Sequence, residues 1–132
     1  MIGAGAALQA AAVTAVKSIE GLNGAYPGNP IEATVPFAVV ETGPETDWGH
    51  KSASGRELRL AVTLRDAGEA PSRMQALMTL AEQAVGSVEI GEADWHLVSF
   101  VFLRSRLVQD RSGGWAAVME WRARMLAEAC GD

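Results

Sequence analysis

Cysteine is almost absent from this 132-residue chain: Cys130, two residues from the end, is the only one. No internal disulfide can form, so nothing points to an oxidising compartment, and only a bridge between chains would give this thiol a covalent role. Histidine is nearly as scarce. His50 and His96 have neither a second histidine nearby nor cysteines at metal-ligand spacing, so no zinc or iron site and no cofactor is expected. Long apolar runs are missing too. No stretch approaches the ~20 strongly apolar residues of a membrane span, so no membrane partner is expected. The alanine-rich opening Met1 to Val16 has no basic residue before Lys17, and its weak hydrophobic drive reads as a helix rather than a leader. Basic residues are outnumbered, 11 against 16 acidic ones, for a net charge of −5. That excludes a protein whose main work is neutralising phosphates; DNA would pass such a chain rather than be held by it.

What is present is a globular composition, 48% apolar and 20% charged, sufficient for one soluble domain over residues 1–132 with a single core covered by one or two helices. Leu8, Ala12, Val16 and Ile19 recur three or four residues apart and predict a helix from Ala6 to Glu20, ending near Gly21 or Gly24. Asn23 to Pro36, rich in glycine, proline and asparagine, reads as an irregular surface crossing. Pro36 to Val40 is a short apolar strand. From Leu58 to Leu64 the alternation is strict: Leu58, Leu60, Val62 and Leu64 share one face, Arg59, Ala61, Thr63 and Arg65 the other. The connection between these strands, Glu41 to Gly55, is far longer than the about two to five residues of an ordinary hairpin, and such loops tend to be functional.

Pro71, Ser72 and Gln75 make a capping-box pattern in which Ser72 would cap the Gln75 amide. Met74, Leu77, Met78, Ala81, Ala84 and Val85 form the apolar stripe that follows, stopped by Gly86. Trp95 to Val108 is apolar on both faces before Arg104 and Arg106 appear on one, which predicts a central strand whose far end reaches solvent. Asp110 to Gly114 is a turn cluster that should close a hairpin. Trp115 to Ala129 fits a helix or a strand, but only the strand keeps Glu120, Arg122 and Arg124 on one face. The expected order is α-β-β-α-β-β.

Charge is distributed unevenly along the chain. Glu82 to Asp94 holds four acids and no base, whereas Arg104 to Arg124 holds five arginines against Asp110 and Glu120. Such asymmetry suits contact between copies of one chain, and also suits two solvated faces of opposite sign. Catalytic patterns do not hold together. Gly3-Ala4-Gly5 lacks the third glycine and the preceding strand of a dinucleotide fingerprint. Asp47, His50 and Ser52 or Ser54 lie on no strained turn of the kind a nucleophile needs, and Glu41, Glu45 and Asp47 read as solvated loop acids. Trp48 stands apart, because a tryptophan in a polar loop must either fold back on its own core or be covered by a partner.

The segment Pro36-Phe37-Ala38-Val39-Val40, the loop Asp47-Trp48-Gly49-His50-Lys51, the strand Leu58 to Leu64, the helix Ser72 to Val85, Leu97-Val98 and the hairpin Asp110-Arg111-Ser112-Gly113-Gly114-Trp115 together resemble a known family over most of the chain. It comprises the small tail-completion, or tail-terminator, proteins of long-tailed phages and phage-like gene transfer agents. In that family the segment matching Trp115 to Leu126 is a strand.

The resemblance implies an α+β subunit with a mainly antiparallel four-stranded sheet and two helices packed on one face. Such subunits form a hexameric ring on the head-proximal end of the tail tube. The ring stops tube polymerisation and offers a surface to the head-side connector or stopper. It leaves a channel through which DNA passes without specific binding. The implied location is the tail of a virion or phage-like particle assembled in the host cytoplasm, with no catalysis and no cofactor. Glu45, Asp47, Trp48, His50, Lys51 and Arg56 then become candidate contacts to a neighbouring subunit or the tube. Glu89, Glu92 and Asp94 become candidates for pairing with Arg104, Arg106, Arg122 and Arg124 across subunits, since a ring joins one surface patch to a different one. Two other readings stand beside it: a cofactor-free dimeric ligand-binding protein or enzyme with a pocket at Trp95, Met119 and Trp121, and another head-to-tail adaptor ring.

Overall fold

Leu8, Ala12 and Val16 recur at helical spacing, and in the computed structural model they form the buried stripe of helix α1 (Ala4–Lys17). The structure describes residues 2–68, 70–90, 94–111 and 113–127. After α1 come β1 (Ala25–Tyr26), β2 (Phe37–Asp47), β3 (Gly55–Ala67), helix α2 (Ser72–Gly86), β4 (Trp95–Gln109) and β5 (Gly114–Ala127). The sheet order is β1-β2-β3-β5-β4. Both helices lie on one face, where Leu58, Leu60, Val62 and Leu64 of β3 meet Ala117, Met119, Trp121, Ala123 and Met125 of β5 in one core. The alternation in both segments therefore records a sheet covered on one side only. The strand, not the helix, is the state of the segment after Gly114.

Four expectations need correction. The sheet has five strands and is mixed, because the crossing segment contributes β1, which pairs parallel to β2 through Ala25↔Ala38 and Tyr26↔Val39. Two residues inside a proline- and glycine-rich stretch carry no periodic signal, so nothing announced them. The supposed loop from Glu41 to Gly55 is mostly strand: β2 runs to Asp47, and only Trp48 to Ser54 form the tip. A register shift between Thr42 and Glu45 houses Gly43 and Pro44. Past Val39 β2 has no described neighbour on its β1 side, and a bulge at such an open edge tolerates a proline that cannot donate to the ladder; this stretch is polar because it is exposed.

The predicted capping box does not form. Pro71 takes the cap position, its carbonyl accepts from the Gln75 amide at 2.9 Å, and Ser72 is already the first helical residue. The first turn is held instead by Arg73, whose guanidinium clasps both carboxylate oxygens of the buried Asp66.

The strand from Trp95 is an edge strand, not a central one. The turn at Asp110, with Gly113 at φ +95°, folds β5 back between β3 and β4, leaving β4 paired on one side only. Its two apolar faces have different causes. Phe100 stacks on Trp121 at 6.2 Å and Phe102 meets the same indole edge-on at 5.4 Å, inside the core. Val98, Val101 and Leu103 are 46%, 40% and 36% exposed, and Val98 and Leu103 sit at the two register shifts of the ladder.

Candidate functional site

The β2–β3 hairpin carries its ladder out to Asp47↔Arg56 and a closing Trp48 N–H to Gly55 carbonyl bond of 3.0 Å. Beyond it the chain is pinched by His50, whose amide donates to the Ala53 carbonyl at 2.7 Å, leaving Lys51 exposed at the tip. Gly55 is required by close approach: a Cβ there would lie 2.6 Å from the Trp48 carbonyl oxygen and 2.9 Å from Leu126 Cδ2. The tip is therefore a short structured knob.

The predicted contact residues divide between the two sides of this hairpin. On the helix side, Arg56 bridges Glu45 at 3.2 Å and Asp47 at 3.3 Å. The Glu45 carboxylate also lies beside Gly5 in the first turn of α1, where the helix dipole favours negative charge. On the other side, Trp48 is half-buried against the Arg124 guanidinium, 5.5 Å from the ring centroid, and against His50, 5.4 Å away and edge-on. Arg124 in turn donates from Nε to Glu57 at 2.8 Å. That bond, with the fields of Arg124, Arg122 and Arg59, holds the Glu57 carboxyl below its ordinary range. Trp48 thus enters neither the core nor open solvent; it caps a guanidinium on the uncovered sheet face, a cation–π contact. No local pattern announces this pairing, which needs β5 laid beside β3 so that Glu57 faces Arg124.

The uncovered face is the second feature. Strand parity places Arg59, Arg65, Arg122 and Arg124 on it together with Arg104 and Arg106 of β4, against Glu41, Glu57 and Glu120. Arg104 is engaged by Glu120 at 3.1 Å, as Arg124 is by Glu57. Arg59 and Arg122 stand directly opposite one another, and neither makes an ion pair with a described residue. Arg122 Nε is buried without an acceptor among the described residues. Like charges placed opposite each other cost stability in a sheet, so this pair is unexplained by folding alone. Arg104 and Arg124, expected to pair between copies, are both used within the chain. Glu89 is exposed and Asp94 half-buried, neither ion-paired with a described residue, while Glu92 lies outside the described residues.

The pocket expected of a ligand-binding protein does not form at Trp95, Met119 and Trp121, which are packed into the core. A groove between the helices is lined instead by small residues of α1, among them Ala7, Ala11 and Thr14, and by Ala84 and Val88.

No family model matches the chain, and no curated protein matches it either. Among solved structures, a chain from the virion of the native gene transfer agent particle superposes with a TM-score of 0.66, at 20% identity, over 96% of this chain and 100% of that one. At that identity the likeness is one of fold.

Proposed function

We propose that the chain is a structural subunit of a phage-like particle, and specifically a tail terminator. Copies would form a ring, hexameric in the resembled family, on the head-proximal end of the tail tube, stop its growth and present a docking surface to the head-side connector. The observation that carries the reading is the fold shared end to end with a gene transfer agent virion chain, which agrees with the family whose order and Trp-containing hairpin this sequence resembles. The uncovered basic face and the projecting knob supply two surfaces not consumed by folding. In this reading the subunit is not an enzyme, DNA passes the ring unbound, and Trp48, His50 and Lys51 touch the tube or a neighbouring subunit.

The test is to mix the purified chain with tubes polymerised from the tube protein of the same particle and image them by negative stain. Rings on tube ends and arrest of elongation are expected. Replacing Gly49–Ser54 by Asn-Gly should keep the β2–β3 ladder, since it ends at Trp48 and Gly55, while abolishing capping. Tubes that elongate unhindered with the wild-type chain present would overturn the reading.

A further inference from the structure

The uncovered sheet face and the α2 side differ in charge in a way that folding does not require. Four arginines of the sheet face, Arg59, Arg65, Arg106 and Arg122, have no ion-pair partner among the described residues, against Glu41 alone. Beside them Val98, Val101 and Leu103 present aliphatic surface. On the opposite side of the molecule the pattern is reversed. Leu80 is 43% exposed and lines a depression with Ile19, Glu20 and Gln83 where α1 and α2 meet. Glu20 is exposed on the Leu80 flank of α2, Glu82 is exposed across the helix from it, and Glu89 is exposed just beyond the helix end. Lys17 is the only base of α1, and Arg73, the only base of α2, is committed to Asp66.

We infer that the arginine face of one copy docks on the α2 side of a second copy, with Arg59 and Arg122 receiving Glu20 and Glu82, and Val101 and Leu103 covering Leu80. The contact joins two different patches, so it is heterologous, and it closes into a ring or runs on as a filament according to the rotation it imposes. Aliphatic side chains among arginines favour a protein partner over a phosphate backbone, because apolar surface adds nothing to a phosphate contact but stabilises a desolvated interface. A second copy fits because it carries the complementary surface itself. The inference deepens the ring reading and rests on it only for closure.

The test uses two full-length variants, Arg59→Glu with Arg122→Glu, and Glu20→Arg with Glu82→Arg, followed by sedimentation. A second face variant, Arg59→Glu with Val101→Asp, changes only exposed positions and covers the case in which the first misfolds. Each variant alone should lose self-association by roughly 100-fold or more. Mixed one to one, they should recover assembly in strict alternation, because the intact surfaces pair with each other and so do the two reversed ones. All four charge reversals placed in one chain should restore assembly.

Dimers of the helix-side variant alone would mean a face-to-face contact and overturn the inference, as would a face variant that assembles like wild type. A face variant that assembles normally but loses DNA affinity would make the face a polyanion surface, again overturning it. Complementation by variants of a chain that never caps tubes would remove the terminator reading and leave this one standing. A wild-type chain that stays monomeric both alone and with tubes would remove both.

Discussion

Trp48→Ala tests whether the tip tryptophan belongs to the fold or to a surface. The indole touches one guanidinium at 5.5 Å and one imidazole at 5.4 Å and is half-buried. A cation–π contact of this kind is worth about 0.5–1 kcal/mol, and an aromatic edge contact adds about as much, so the loss is about 1–2 kcal/mol. With an unfolding entropy of roughly 2.1 cal/mol/K per residue over 132 residues, that lowers Tm by about 4–7 °C. Trp121→Ala is the internal reference. Trp121 is 1% exposed and holds Phe100 and Phe102, so its truncation should cost about 3–5 kcal/mol, which is about 11–18 °C on the same scale or outright failure to fold. Calorimetry at a concentration low enough to hold the chain monomeric separates the two, since association would otherwise move Tm. A double-mutant cycle with Arg124→Met should recover a coupling of about 0.5–1 kcal/mol. If Trp48→Ala matched Trp121→Ala in Tm, Trp48 would be a core residue and its assembly role would fall; zero coupling would refute the guanidinium contact.

Other outcomes follow from the same geometry. Arg73 holds the Asp66 carboxyl below its ordinary range, first through their hydrogen bond, so the folded state takes up this proton less readily than the unfolded one. The contribution is complete above the unfolded carboxylate range near pH 4 and is lost as pH falls through the depressed folded value. Asp66→Asn should therefore cost about 1–2 kcal/mol at neutral pH and flatten the acid limb of a stability–pH curve measured by urea titration; an unchanged acid limb would contradict the assignment. Gly55→Ala drives a methyl into the Trp48 carbonyl and Leu126 and should cost about 1–3 kcal/mol in the same titration. Leu8→Ala removes a fully buried contact of α1 and should cost about 2–5 kcal/mol, measurable by chemical denaturation if α1 is docked as described.

Much of the layout is legible in the sequence, and the reasons are local. The alternation of Leu58 to Leu64 specifies one strand and its buried face, because a strand covered on one side must alternate, whereas Trp115 to Met125 fits a helix as well and is favoured as a strand only by its charge separation and by the resemblance. The stripes at Leu8, Ala12 and Val16 and at Met74, Leu77 and Ala81 fixed two helices for the corresponding reason at a period of 3.6. Polar content misled where it reflected edge exposure: Glu41 to Asp47 looked like a loop because that stretch of β2 is exposed. Position within the sheet was illegible. Leu97 to Leu103 looked central, and only the return of β5 between β3 and β4 put it at an edge.

Charge shows the same division. Composition alone determined an acidic chain without metal-ligand spacing or disulfide, and the linear spread from Glu82 to Arg124 already suggested two faces of opposite sign. Tertiary structure decided which charges are spent inside the subunit. Arg104 and Arg124 meet Glu120 and Glu57, while Arg59 and Arg122 are brought face to face, neither with an ion-pair partner among the described residues. Pairings between strands separated by some sixty residues depend on register, and register is a property of the assembled sheet. Periodicity along one strand specifies which face a side chain takes, and the neighbouring strand specifies whom it meets there.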